Sequence, residues 1–552
     1  MNDRTTQDSV NSECQSDSSG WSRRDTLSAI GTGALVSVAG CNDIGGGAAG
    51  DGFNLLETSV TEIHDAMEDG AVTSEELTNA YIARIEAYDD ELNSVIHLNE
   101  AAPERARELD SRLEDGDRAG PLHGIPLVLK DIVNTDDMPT TAGNVLFEDV
   151  IPPEDAHITA QFRDAGAVII AKVNCGEFAS GSLSSLGGQT RNPYDTDRDP
   201  SGSSTGTGAA IAANFATIGV GTETWGSILS PSTDNSIVGL QPTTGLISRD
   251  GITPLSETLD SAGPMTRNVA DAARMLDVMA GYDPADPATA ACVDETPTES
   301  YTEFLAEDGL ADARIGVPRE LIQDDPETTG IEVGQPLQVA ELFADAVDEM
   351  DAVGATIIDP VEIPEPTQEL ASEVGIPLIT NEFKRDLNAY IDELGEAAPV
   401  ENMQEIADSD TIEGSIEGLF ESAVEVDTSE LDQNAEYLRA IRNQEVLREG
   451  VLSVFAEHEL DALVYPTNNR TPELIDGDRE IQDEISPSAR TFSPIPNLPS
   501  ITVPAGYTED PALPVGVSFL GRQYAEPRLI ELAYSYEQAT TLREPPDGFG
   551  AL

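Results

Sequence analysis

Apolar residues along this chain gather in short blocks, and longer acidic stretches with a helical period lie between them. Pro126-Leu127-Val128-Leu129 and Ala167-Val168-Ile169-Ile170 are compact apolar runs of the kind that buried strands carry, and the stretch 156–165 between them reads as a helix. The same alternation returns in the second half. Arg314 to Val317, Ala355 to Ile358 after the Gly354 turn, Leu460 to Val464 and Ser500 to Val503 read as strands, and Leu337 to Met350 and Asp432 to Glu457 as acidic helices. Upstream, Thr73-Ser74-Glu75-Glu76 is a capping box, and Leu77, Tyr81, Ile82 and Ile85 keep the helical period to about Asp89. Strands alternating with helices predict the α/β class, and no internal repeat is visible. Residues 385–435 are the most polar segment and read as a solvated helical cover over the core.

The N-terminus is patterned differently. Ser22-Arg23-Arg24 and Asp25 precede fifteen uncharged residues, Thr26 to Gly40, which end at Val38-Ala39-Gly40-Cys41. That run is too short and too weakly apolar to span a bilayer core of about 30 Å, and it reads as a secretory signal. The arginine pair resembles a twin-arginine signal and Val-Ala-Gly-Cys resembles a lipobox, with Cys41 as the lipid-bearing residue. The expected division is a signal over 1–40, a Gly-rich linker over 41–54 and a catalytic domain over 55–546. An exported chain anchored in the membrane only through lipid on Cys41 is the expected location, with the cytoplasm as the alternative.

Charge narrows the partners. The 552 residues hold 29 Lys plus Arg against 103 Asp plus Glu, a net charge of −74. Such a surface repels phosphates, so no nucleic-acid partner is expected. Lysine is nearly absent: only Lys130, Lys172 and Lys384 occur, while acidic residues are spread through every segment. Dispersed acidity of this kind suits a salt-adapted protein, because in molar salt the Debye length falls to about 3 Å and the self-repulsion is screened. The five histidines show no metal-ligand spacing, and with Cys14 discarded with the signal and Cys41 lipidated only Cys175 and Cys292 remain, so neither metal, cofactor nor disulfide framework is expected.

Three segments carry candidate chemistry: Gly124 to Asp131, Pro200 to Gly208, and Gly221 to Ile228. Lys130 ends an apolar run, where desolvation would lower its pKa and make the neutral amine a usable base. Gly202-Ser203-Ser204-Thr205-Gly206 is a literal G-x-S-x-G with Ser204 at its centre. The preceding Arg198-Asp199-Pro200-Ser201 forms turns rather than the strand a nucleophile elbow needs, and His458 is the one histidine downstream.

Taken together, these segments resemble the amidase signature family, and the resemblance extends from about Leu55 to Pro546. It takes in Gly187-Gly188-Gln189-Thr190-Arg191-Asn192-Pro193, Val238-Gly239-Leu240-Gln241-Pro242, Asp260-Ser261-Ala262-Gly263-Pro264 and Leu513-Pro514-Val515-Gly516. The Thr222-Glu223-Thr224-Trp225-Gly226 run is nearest to the subgroup that includes peptide amidases. The resemblance implies a single α/β/α domain whose mixed sheet is covered by helices on both sides, and hydrolysis of linear amides. It also implies Ser227 as nucleophile, Ser203 as bridging serine after a cis peptide bond from Gly202, and Lys130 as base. The N–H groups of Thr224, Trp225, Gly226 and Ser227 are the implied oxyanion hole. Trp225 departs from the Gly or Asp more common at its position. Substrate-facing residues are expected at Trp225 and in 385–435, and the substrate is a small amide or a peptide amide. Two competing readings share the motifs: the glutaminase component of a tRNA-dependent amidotransferase, and a non-catalytic surface lipoprotein.

Overall fold

A computed structural model describes residues 53–322, 335–364, 367–476 and 492–552. The segment 1–40 expected to be a signal, and nearly all of the expected linker over 41–54, lie outside them. The described part is built on one mixed sheet of eleven strands in the order β1-β3-β2-β4-β6-β5-β10-β11-β9-β7-β8. In chain order these are β1 Val95–Leu98, β2 Pro126–Lys130, β3 Val168–Val173, β4 Ile218–Glu223, β5 Val238–Gln241 and β6 Ser261–Thr266, followed by β7 Arg314–Gly316, β8 Thr356–Ile358, β9 Ala462–Pro466, β10 Ser500–Tyr507 and β11 Pro514–Leu520. Parallel pairs β2/β3, β2/β4, β7/β8 and β7/β9 flank an antiparallel centre running through β6, β5, β10 and β11. Helices flank the sheet, as an α/β chain with crossovers requires.

Strands read from apolar runs are those expected, within a few residues, and the capping-box helix runs Ser74–Leu92 with both capping bonds formed between Thr73 and Glu76. The polar segment 385–435 is a less solvated cover than its composition suggests. It continues the helix Thr367–Leu394 into helices Met403–Ala407 and Glu417–Val424. Phe420 packs edge-on against Phe383 and Phe178, with ring centroids 5.1 and 5.4 Å apart, so the cover is fastened to the core by aromatic rings.

Parallel β2 and β4 are neighbours, so their carboxyl ends lie at the same edge of the sheet, the usual place for a site in such a fold. Lys130 closes β2 and Glu223 closes β4. Helix Thr205–Ala212 packs against both strands, and Ser203 stands just before it.

Candidate active site

Lys130 is fully buried, and its Nζ lies 2.8 Å from Ser203 Oγ and 2.8 Å from Thr222 Oγ1. Burial among apolar strands pulls its pKa down to about 8, against the opposing pull of Cys175, the buried carboxylate Glu223 and the part-buried Asp260. The amine is therefore substantially neutral at mildly alkaline pH and able to take a proton.

Ser203 is held by its backbone. The Gly202–Ser203 peptide bond is cis, and Ser203 O accepts the N–H of Gly176 at 2.9 Å. Gly202 has no room for a side chain, since a Cβ there would stand 2.3 Å from Gly181 O. Ser203 and Ser227 line one cavity of about 550 Å³. Ser204 does not line that cavity. Its hydroxyl is buried against β4, donating to Thr222 O at 3.3 Å and accepting from Thr222 N at 3.2 Å. No strand precedes it, and His458 ends a helix elsewhere, so the G-x-S-x-G assembles no Ser–His pair.

The turn that carries Ser227 is organised by Glu223. Its carboxylate, wholly buried, accepts the N–H groups of Gly226, Ser227 (2.6 Å), Ile228 (2.8 Å) and Leu229 (3.2 Å). Gly226 takes φ +95°, which favours glycine and lets the chain turn back over that carboxylate. This narrows the expected oxyanion hole. The N–H groups of Gly226 and Ser227 already point at Glu223, whereas those of Thr224 and Trp225 meet no protein acceptor among the described residues. Thr224 is itself fixed, its hydroxyl donating to Asp260 at 2.5 Å, while Asp260 also takes the N–H groups of Leu255 and Ser256.

Glu223, Asp260 and Thr222 are hidden from sequence reasoning, the two acids because 103 such residues give no contrast. Lys172 does carry a signal: it is the second of only three lysines and sits at the end of an apolar run. Fully buried, it donates to Val133 O at 2.6 Å and Thr140 Oγ1 at 2.7 Å, with Asp131 at 4.0 Å. The cavity wall also differs from expectation. Of the segment 385–435 only Leu419 reaches it, and the apolar side comes from Trp225, Leu255, Ile376 and Ile379. Among the described residues no cluster of histidine, cysteine or carboxylate side chains is arranged to hold a metal, and no helix is long and apolar enough to cross a membrane.

A serine on a tight turn, a second serine bonded to a desolvated amine, and one cavity lined by both serines can support acyl transfer. Comparisons with known proteins agree. A family model described as Amidase matches residues 76–530. A probable amidase of Arabidopsis thaliana is 32% identical over 514 residues, covering 90% of this chain and 92% of its own. A glutamyl-tRNA(Gln) amidotransferase component of Myxococcus xanthus is 33% identical over 498 residues, covering 88% and 98%. Among solved structures, the native peptide amidase of Stenotrophomonas maltophilia aligns with TM-score 0.79 and 38% identity over 89% of this chain and 98% of its own. A peptide amidase in complex with the competitive inhibitor chymostatin gives TM-score 0.79 and 39% identity over 89% and 99%.

Proposed function

The chain belongs to the amidase family and is a hydrolase of amide carbon–nitrogen bonds, and from that premise we propose that it cleaves peptide amides through Ser227, Ser203 and Lys130. Ser227 Oγ attacks the amide carbon and gives its proton to Ser203 Oγ, which passes its own to neutral Lys130 Nζ. The relay then runs back, protonating the leaving nitrogen as the tetrahedral intermediate collapses to an acyl-enzyme. Water, activated by the same relay, releases the carboxylic acid. The N–H groups of Thr224 and Trp225 stabilise the oxyanion, each such donor being worth about 3–4 kcal/mol. The observation that carries this reading is the 2.8 Å approach of a fully buried lysine amine to Ser203, beside Ser227 on the same cavity.

A hydrolysis screen in molar KCl, over aliphatic, aryl and C-terminally amidated peptide substrates with glutamine included, tests it. Turnover of peptide amides, with a serine-reactive fluorophosphonate labelling Ser227, is expected. Folded protein that neither turns over any amide nor labels would instead be the non-catalytic lipoprotein. Preference for glutamine would favour the amidotransferase glutaminase. The Myxococcus xanthus relative supports that second reading, but a chain at −74 beside charged tRNA opposes it.

The same proposal includes export and salt adaptation. Arg23-Arg24 before an uncharged run, and Cys41 at its end, support a twin-arginine leader and a lipid anchor. Replacing Arg23-Arg24 by Lys-Lys should leave the protein in the cytoplasm, and Cys41→Ser should release it from the membrane fraction. Recovery of exported protein with residues 1–40 intact would overturn the leader.

A further inference from the structure

We propose that Trp225 and Gly375 together form an acyl-side specificity pocket that selects amides of residues with large apolar side chains. The inference rests on the peptide-amide reading above and deepens it. When ammonia is the leaving group, almost nothing of the substrate lies beyond the scissile nitrogen. The cavity of about 550 Å³ must then serve the acyl portion, and its wall decides which amides fit.

That wall is apolar on one side. Trp225, two residues before Ser227, is half-buried, and with Leu255, Ile376, Ile379 and Leu419 it lines the cavity. Ile376 is 57% exposed at the same cavity, an isoleucine left in water where a ligand could cover it. The indole is backed on one side by the chain. A Cβ on Gly375 would stand 3.1 Å from Trp225 Cζ3 and 3.2 Å from Cε3, so the ring lies directly against the backbone of the helix Thr367–Leu394. Ile495 Cδ1 would stand 2.9 Å from the same Cβ, so it shares the space over Gly375 with the indole. The absent side chain at Gly375 is the space that seats the indole, and a methyl group there would crowd both the ring and Ile495 Cδ1.

Two residues 150 positions apart thus set one surface. Apolar side chains gain from burial against an indole, whereas a glycine amide has nothing to bury, and pocket differences of a few methylene groups are worth tenfold or more in kcat/KM.

The test compares N-acetylated glycinamide, leucinamide and phenylalaninamide. The wild type is expected to prefer the leucine and phenylalanine amides over the glycine amide by at least about tenfold. Trp225→Gly and Gly375→Ala should each cut the ratio of kcat/KM for the leucine and phenylalanine amides to that for the glycine amide by about tenfold. Equal loss on all three substrates, or a wild type that does not discriminate, overturns the inference while leaving the peptide-amide reading intact. Turnover of aliphatic amides without any of the three removes that reading and this inference with it.

A binding measurement guards against misfolded variants. Trp21 and Trp225 are the only tryptophans in the chain, so in full-length Trp21→Phe the fluorescence reports Trp225 alone. Titration with the product acids N-acetylleucine and N-acetylglycine should shift the emission saturably and at lower concentration for the leucine acid. Indistinguishable titrations overturn the proposal.

Discussion

Scarcity made one residue legible and abundance hid others. All three lysines are tied into the fold: Lys130 and Lys172 are fully buried, and the part-buried Lys384 donates to the carbonyls of Val424 and Val426 at 2.5 and 3.0 Å. With only three lysines in 552 residues, each one stands out, and Lys130 could be singled out on that ground. Glu223, which accepts the Ser227 N–H, and Asp260, which accepts the Thr224 hydroxyl, had no such contrast against the acidic background. Two of the serines show how position outweighs motif. Ser227→Ala should lower kcat by at least about a thousandfold with Tm unchanged, since the hydroxyl faces the cavity. Ser204→Ala, at the centre of the G-x-S-x-G, should keep most of the turnover and cost about 1 kcal/mol of stability from its bonds to Thr222. Denaturant melts beside initial rates check both. An inactive Ser204→Ala with an active Ser227→Ala would return the serine-elbow reading.

At the scale of elements, strands with apolar runs were readable and the Gly-rich strands between them were not. β4 is Ile-Gly-Val-Gly-Thr-Glu and β6 is Ser-Ala-Gly-Pro-Met-Thr, compositions that read as turns. They are strands because neighbours approach where side chains would stand: a Cβ on Gly263 would lie 2.2 Å from Leu240 O, and one on Gly221 would lie 2.4 Å from Met265 Sδ. Tertiary packing wins there over local preference, and no window of sequence contains that information. The turn after β4 shows the same dependence. One carboxylate, Glu223, holds four successive N–H groups of the segment Gly226 to Leu229 and so sets where Ser227 points. Glu223→Gln keeps the size but turns an amide NH₂ toward some of those donors. It should destabilise the protein by about 3 kcal/mol and lower kcat by more than about a hundredfold, with KM less affected. Unchanged kcat at a lowered Tm would show that the carboxylate supports the fold without aiming the nucleophile.

Over the whole molecule, the charge and the base act on each other. Lys130 must be neutral to accept a proton, so kcat/KM should rise as pH passes upward through its pKa, which burial has drawn down to about 8. Negative charge in the surroundings favours the ammonium form and moves that limb up. Two sources contribute. Glu223 lies fully buried near the amine, out of reach of dissolved ions, and the part-buried Asp260 is held by its own hydrogen bonds, whereas most of the −74 is spread over a surface that salt can screen. Raising KCl should therefore remove the surface contribution alone and shift the limb of kcat/KM to lower pH, until only burial and the two near carboxylates set it. Salt would then activate the enzyme through its base as well as through its fold. The measurement is kcat/KM against pH at two KCl concentrations at which circular dichroism gives the same folded fraction. A limb that stays in place while the rate rises would confine the effect of salt to stability, and the coupling between surface charge and Lys130 would be wrong.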